Sequence, residues 1–180
     1  MIEPRIQYVA SADGVQIAYT TIGQGPPVVL AANAWGDIAA NTSSRGFGMA
    51  QELRDGGLEL VVYDGRGAGS SDRNVSDISL AARLADLEAV VDKLALERFA
   101  LIGVVHGCST AVAYAAKHPQ RVTRMAVFAP YSRGSDYYSS TPVLRAIRTL
   151  SDMAEEHWEF FTLSLANWMV NFQMPLSPER

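Results

Sequence analysis

Apolar and polar positions along this chain alternate between two periods. Arg5 to Ile22 reads as two strands around Ser11-Ala-Asp-Gly14, whose Asp-Gly pair supplies the positive φ of a tight hairpin. Gly23-Gln-Gly-Pro-Pro27 breaks the chain before Val28-Val-Leu-Ala-Ala32, a strand of the buried type. A polar loop around Asn33, Trp35, Gly36 and Asp37 follows. Leu58 to Tyr63 is the next strand, and it runs into Asp64-Gly-Arg-Gly-Ala-Gly-Ser-Ser-Asp72. Leu80, Leu84, Leu87, Val91 and Leu94 then recur at helical steps, one stripe of an amphipathic helix with Arg83, Asp86, Glu88 and Asp92 placed off it.

Phe99 to Val104 predicts a strand, Cys108 to His118 a helix stopped by Pro119, and Met125 to Ala129 a strand stopped by Pro130. Phe99 to Ala116 carries no Asp, Glu, Lys or Arg, yet Gly103, His106-Gly107 and Ser109-Thr110 divide it into strand, sharp turn and helix rather than one membrane span. Residues 131–142 read as a polar, tyrosine-bearing linker. Beyond it, Val143, Ile147 and Leu150 mark a short helical stripe, and Trp158, Phe161, Leu165, Trp168 and Phe172 a longer one. Alternating strands and helices, with strands apolar on both faces, imply a mostly parallel sheet covered on each side, an α/β architecture.

At 180 residues with 48% apolar and 19% charged positions, the composition is that of a globular chain able to form a core without disulfides. A net charge of −4 provides no basic stripe, so no nucleic-acid partner is expected. One cysteine and three scattered histidines have no metal-ligand spacing, and neither a metal nor another cofactor is expected. The opening Met-Ile-Glu-Pro-Arg lacks the pattern of a signal peptide, and the expectation is a cytoplasmic protein without membrane association.

The order of hairpin, strand, loop, strand with Asp64-x-Arg-Gly-x-Gly-x-Ser, amphipathic helix and Leu101-Ile-Gly-Val-Val-His-Gly-Cys108 resembles the α/β-hydrolase superfamily over about residues 6 to 135. Tyr63 to Asp72, Asp86 to Val91 and Tyr114 to Val122 are most similar to hydrolase-fold modules of bacterial regulatory proteins. The resemblance implies a three-layer fold with about six strands, an N-terminal hairpin, flanking helices and C-terminal cap helices. It divides the chain into a core at 1–135 and a partial helical cap at 136–180, in the same domain or swapped onto another subunit.

The family's nucleophile elbow is Gly-x-Ser-x-Gly, a strained strand-to-helix turn that presents a serine beside backbone donors for the oxyanion. Here it reads Gly103-Val104-Val105-His106-Gly107, with Val105 where the attacking residue stands, so no intact catalytic residue is expected. The family's acid and base follow its seventh and eighth strands, and the expectation is a chain truncated after the sixth, with an open sheet edge that pairs with a second copy or another protein.

By resemblance the backbone amides of Ala34 and His106 line the former oxyanion site, and Asn33, Trp35 and Trp158 are candidates to line a pocket. Cys108 lies about 200° round a helix from His106, so the two cannot face one another, and a buried structural thiol is the simpler reading. Asp64 and Arg66 fall where the resemblance implies a network that fixes the loop. Two functions remain open. One is a non-catalytic protein that binds a small apolar ligand or associates with protein; the other is an esterase-like hydrolase, completed by another chain or using an unfamiliar nucleophile.

Overall fold

The computed structural model describes residues 5–33, 37–42, 49–154 and 156–173. Residues 1–130 and 131–180 form two compact units. In the first, six strands build one sheet: β1 (Gln7–Ala10), β2 (Gln16–Gly23), β3 (Pro27–Leu30), β4 (Glu59–Tyr63), β5 (Phe99–Val104) and β6 (Val122–Phe128). Their order across the sheet is β1-β2-β4-β3-β5-β6. The hairpin β1–β2 closes through Ser11–Gly14, where Gly14 has φ +90° and its N–H donates to the Ser11 carbonyl at 2.9 Å. β2 runs antiparallel to β4, whereas β3, β4, β5 and β6 are mutually parallel, with Val29 opposite both Val61 and Leu101.

Because strand side chains alternate between faces, this sheet has two cores. Val29, Val61 and Leu101 pack with Leu87, Val90 and Val91 of α3 (Leu80–Lys93) and with Ala111 and Tyr114 of α4 (Gly107–Lys117). On the other face Leu30, Leu60 and Val62 meet Ile38 of α1 (Ile38–Thr42) and Ala50 of α2 (Met49–Asp55). The charge-free run 99–116 is therefore β5, a turn and most of α4, and no helix among the described residues is long and apolar enough to cross a membrane. Ser79 starts α3 by accepting the Ala82 N–H at 3.2 Å.

Arg66 ties the first unit together. Its Nε and Nη2 donate to the two carboxylate oxygens of Asp86 at 2.9 and 2.8 Å, and its Nη1 and Nη2 donate to Asp13 at 2.7 and 3.1 Å. One guanidinium thus joins the hairpin turn, the loop after β4 and the middle of α3. Only 1% of the Arg66 and Asp86 side chains is exposed, against 47% for Asp13. Asp86, placed by its charge with the polar residues of α3, is in fact buried on the helix's core side. At the far end of α3 and α4, Glu88 accepts from Lys117 and His118 at 2.8 and 2.7 Å.

Three segments depart from the sequence reading. α1 and α2 interrupt what reads as loop, and β6 starts three residues before Met125. Residues 131–142 are not a linker: in the second unit α5 (Gly134–Ser139) occupies them, followed by α6 (Pro142–Asp152) and α7 (Trp158–Gln173). Tyr131 stacks on Tyr137 with ring centres 4.6 Å apart, and Tyr137 meets Tyr138 edge-on at 5.2 Å. α6 begins as its sequence dictates, with Thr141 accepting the Leu144 N–H at 3.2 Å and Pro142 in the first turn. The two units divide at Pro130 and Tyr131, five residues before the boundary expected from the sequence.

Asp86→Ala leaves the buried Arg66 with the half-exposed Asp13 as its one remaining carboxylate among the described residues, beside the neutral Asp77 carbonyl and Ser11 hydroxyl, and is expected to lower the free energy of unfolding by about 3–5 kcal/mol. Asp13→Ala is expected to lower it far less. Urea denaturation at neutral pH checks this, and equal losses for the two variants would contradict it.

Candidate functional site

The site is built where β5 turns into α4. Gly103, near the end of β5, lies so close to α4 that an added Cβ would sit 2.8 Å from the Cα of Cys108. At Gly107, the first residue of α4, a Cβ would sit 2.6 Å from the Ala31 carbonyl oxygen just after β3. Neither neighbour is a flexible side chain, so only glycine fits at both places. Between them the chain reverses direction within two residues, and Val105 takes φ +48°.

A β-branched residue in that conformation costs about 1–2 kcal/mol and persists only where its surroundings impose it. The imposing bonds are visible. The Val105 N–H donates to the Phe128 carbonyl at 2.9 Å, and the Cys108 thiol donates to the same oxygen at 3.3 Å, so the end of β6 braces the turn. The Cys108 N–H donates back to the Val105 carbonyl at 3.2 Å.

His106 is the N-cap residue of α4 and is half-buried. Its Nδ1 lies 3.1 Å from Oδ1 of Asn33, in the segment after β3. An amide oxygen only accepts, so in this pairing Nδ1 carries the proton. Burial, and secondarily the positive charge of Arg83, hold the imidazole below the ordinary histidine value, and it is neutral at pH 7. Cys108 is buried, and burial pushes its thiol up, away from the thiolate that a nucleophile needs.

Asp64, at the end of β4, is committed elsewhere. Its carboxylate accepts the N–H groups of Ile38 and Ser70, each at 2.7 Å, while Ser71 Oγ donates to the Asp64 carbonyl at 2.7 Å. A side chain at Gly69 would collide with that carboxylate. Asp64 therefore fixes the glycine-rich loop and starts α1. Its burial pushes the carboxyl above the ordinary range, partly offset by the two N–H donors.

The structure brings Gly103, Val105, His106, Gly107, Cys108 and Asn33 together at the carboxyl ends of the central strands. Ala34 and Trp35 lie outside the described residues. Trp158 belongs to the other unit, on α7, where it is exposed and its ring lies 5.7 Å from that of Phe161. Arg83, read with the polar residues of α3, is half-buried there, and its Nε is buried without a hydrogen-bond partner. Among the described residues no cluster of three or more His, Cys, Asp or Glu side chains is placed to hold a metal ion.

A strand, a residue at positive φ and a helix, braced by close-packed glycines, is the elbow of hydrolase-fold proteins. The family model for the alpha/beta hydrolase fold matches residues 27–167. The chain belongs to that family.

Among relatives of the chain, a 2-hydroxy-6-oxononadienedioate/2-hydroxy-6-oxononatrienedioate hydrolase of Paraburkholderia xenovorans is 29% identical over 82% of this chain and 51% of its own length. The enzyme of the same name from Klebsiella pneumoniae is 26% identical over 84% and 49%. An esterase from Exiguobacterium antarcticum superposes with a TM-score of 0.65 at 21% identity, over 84% of this chain and 56% of that one, a likeness of fold. The chain spans about half the length of these curated relatives.

His106 takes up a proton less readily folded than unfolded. Its contribution to stability is complete above the ordinary histidine value of 6.5 and is lost as pH falls through that value toward the lower folded one. His106→Gln is expected to flatten that part of the curve, as read from unfolding free energies measured between about pH 5 and 8. An unchanged slope would contradict the assignment.

Proposed function

We propose that this hydrolase-fold chain binds a small molecule at its elbow without hydrolysing it. The observation that carries the reading is Val105 at φ +48°, in the place from which the fold presents its attacking group. Valine has no lone pair to offer a carbonyl carbon. The nearby thiol does not replace it, since Cys108 is buried, donates to the Phe128 carbonyl and is disfavoured as a thiolate. Hydrolase names among the relatives support the scaffold, whereas chemistry resides in the site.

With nitrophenyl acetate and nitrophenyl butyrate the protein is expected to match the buffer blank. Val105→Ser is expected to stay there too, because a serine hydroxyl without an adjacent base is a poor nucleophile at neutral pH. Saturable turnover by the wild type would overturn the reading. Turnover by Val105→Ser alone would show that a working base is present and that only the nucleophile is lost.

A second reading, association between copies, is favoured by β6. This strand pairs with β5 on one side only among the described residues, and it exposes apolar side chains on both faces: Met125 and Val127 on one, Phe128 on the other. Such an edge is a template for pairing. In an antiparallel pair centred on Met125, Arg124 would face Ala126 and Val122 would face Phe128, so the strand's single charge meets no like charge and an aromatic meets a β-branched residue. A native mass of twice 19.5 kDa is expected, falling to the single mass in Val127→Lys. A wild-type monomer at micromolar concentration would contradict pairing.

A further inference from the structure

Among the described residues, three that are not glycine take a positive φ: Ala95 at +51°, Val105 at +48° and Ala129 at +52°. Two of them are joined by one group. Val105 stands at the elbow, and Ala129 is the residue that follows β6. Between them lies the Phe128 carbonyl, which accepts the Val105 N–H at 2.9 Å and the Cys108 thiol at 3.3 Å. A left-handed residue with a side chain persists only where its surroundings impose it, so the strained elbow and the strained end of β6 depend on the same contact.

β6 is weakly held for a strand with that task. From Thr123 to Phe128 every residue is exposed, and among the described residues the strand pairs with β5 alone. β5, by contrast, lies between two strands and buries three of its six residues. A strand bonded along one side opens locally at lower cost than one bonded along both. When the end of β6 opens, the Phe128 carbonyl leaves Val105 and Cys108, and the turn loses its brace.

The free edge of β6 has a definite polarity. Backbone groups of successive strand residues point to opposite sides, and the Phe128 carbonyl points to the β5 side. From Arg124 to Phe128 the register with β5 is unbroken, so the backbone groups of Val127 and Met125 point outward. Met125 lies mid-strand. It can give its N–H to, and take an N–H from, the same residue of a second copy, which is the arrangement of an antiparallel pair about a two-fold axis.

We propose that pairing of β6 with a second copy regulates the elbow. Ladder bonds from Met125 and Val127 keep β6 closed in the pair, so the Phe128 carbonyl stays on Val105 and Cys108; in the single chain the end of β6 opens more often and the turn with it. This inference rests on the reading that copies associate through β6. It makes the pair the form in which the elbow is held ready for a small molecule, so that ligand and pairing favour one another.

The test follows the native mass of the whole chain across the micromolar range. At each concentration it measures two events at the elbow, alkylation of Cys108 by N-ethylmaleimide and deuterium uptake at the Val105 amide. Where opening and closing outpace the probe, both rates report the open fraction. As the mass rises from 19.5 kDa to twice that value, both are expected to slow by about tenfold. Met125→Pro removes an outward N–H without touching the bonds to β5, and is expected to stay single and keep the faster rates at every concentration. Val127→Lys, which puts a charge on the edge strand, is expected to do the same.

A pair whose elbow reacts as fast as that of the single chain would overturn the regulation and leave pairing standing. A chain that stays at 19.5 kDa would overturn pairing and, with it, the regulation. Slowing of equal size at the α3 amides would also overturn the proposal, since pairing would then stabilise the whole fold rather than the elbow.

Discussion

The first turn of α4 lies so close to the ends of β5 and β3 that neither Gly103 nor Gly107 has room for a side chain, and the rest of the site follows from that approach. Two facing backbones leave the chain two residues in which to reverse. The only solution is a left-handed residue, and Val105 occupies it although its branched side chain disfavours the conformation. The Phe128 carbonyl, taking both the Val105 amide and the Cys108 thiol, holds the strained turn in place. The elbow is thus maintained by backbone packing and by β6, not by whichever side chain stands at its apex.

Charges in the first unit act mainly as struts. Arg66 links the hairpin, the loop after β4 and α3 through two carboxylates, and Asp64 fixes the glycine-rich loop and the start of α1 through two backbone amides. Both groups are buried, so the glycine-rich loop is fixed by the same contacts that stabilise the fold.

Much of the fold could be read from the chain because its elements follow simple periods. The apolar runs at Val28–Leu30, Leu60–Val62 and Phe99–Val104 lie in buried parallel strands, and the stripe through Leu84, Leu87 and Val91 is the core face of α3. The elbow at Gly103 to Gly107 was legible through the resemblance of that segment to the family's Gly-x-Ser-x-Gly turn. Other features left weaker traces. α1 and α2 have five and seven residues, too few turns for a helical period to emerge, and they are ordered by the sheet they cover. α5 is a short helix rich in serine and tyrosine, residues that read as linker until Tyr131 stacks on Tyr137.

Asp86 shows the opposite failure, because charge suggested a solvated face while its position on α3 falls within the buried arc. In Asp86 the reason is a partner 20 residues away in the chain, Arg66, which no local pattern displays. The pairing of His106 with Asn33 is hidden in the same way, by a separation of 73 residues.

The claim most worth testing is that an intact elbow here carries no nucleophile. Incubating the protein with a fluorophosphonate, which phosphonylates an activated nucleophile with loss of fluoride, and weighing it by intact-mass spectrometry addresses this without assuming a substrate. The expected spectrum shows the unmodified mass alone. A stoichiometric phosphonyl adduct mapped to residues 103–109 would contradict the claim and restore catalysis to this site.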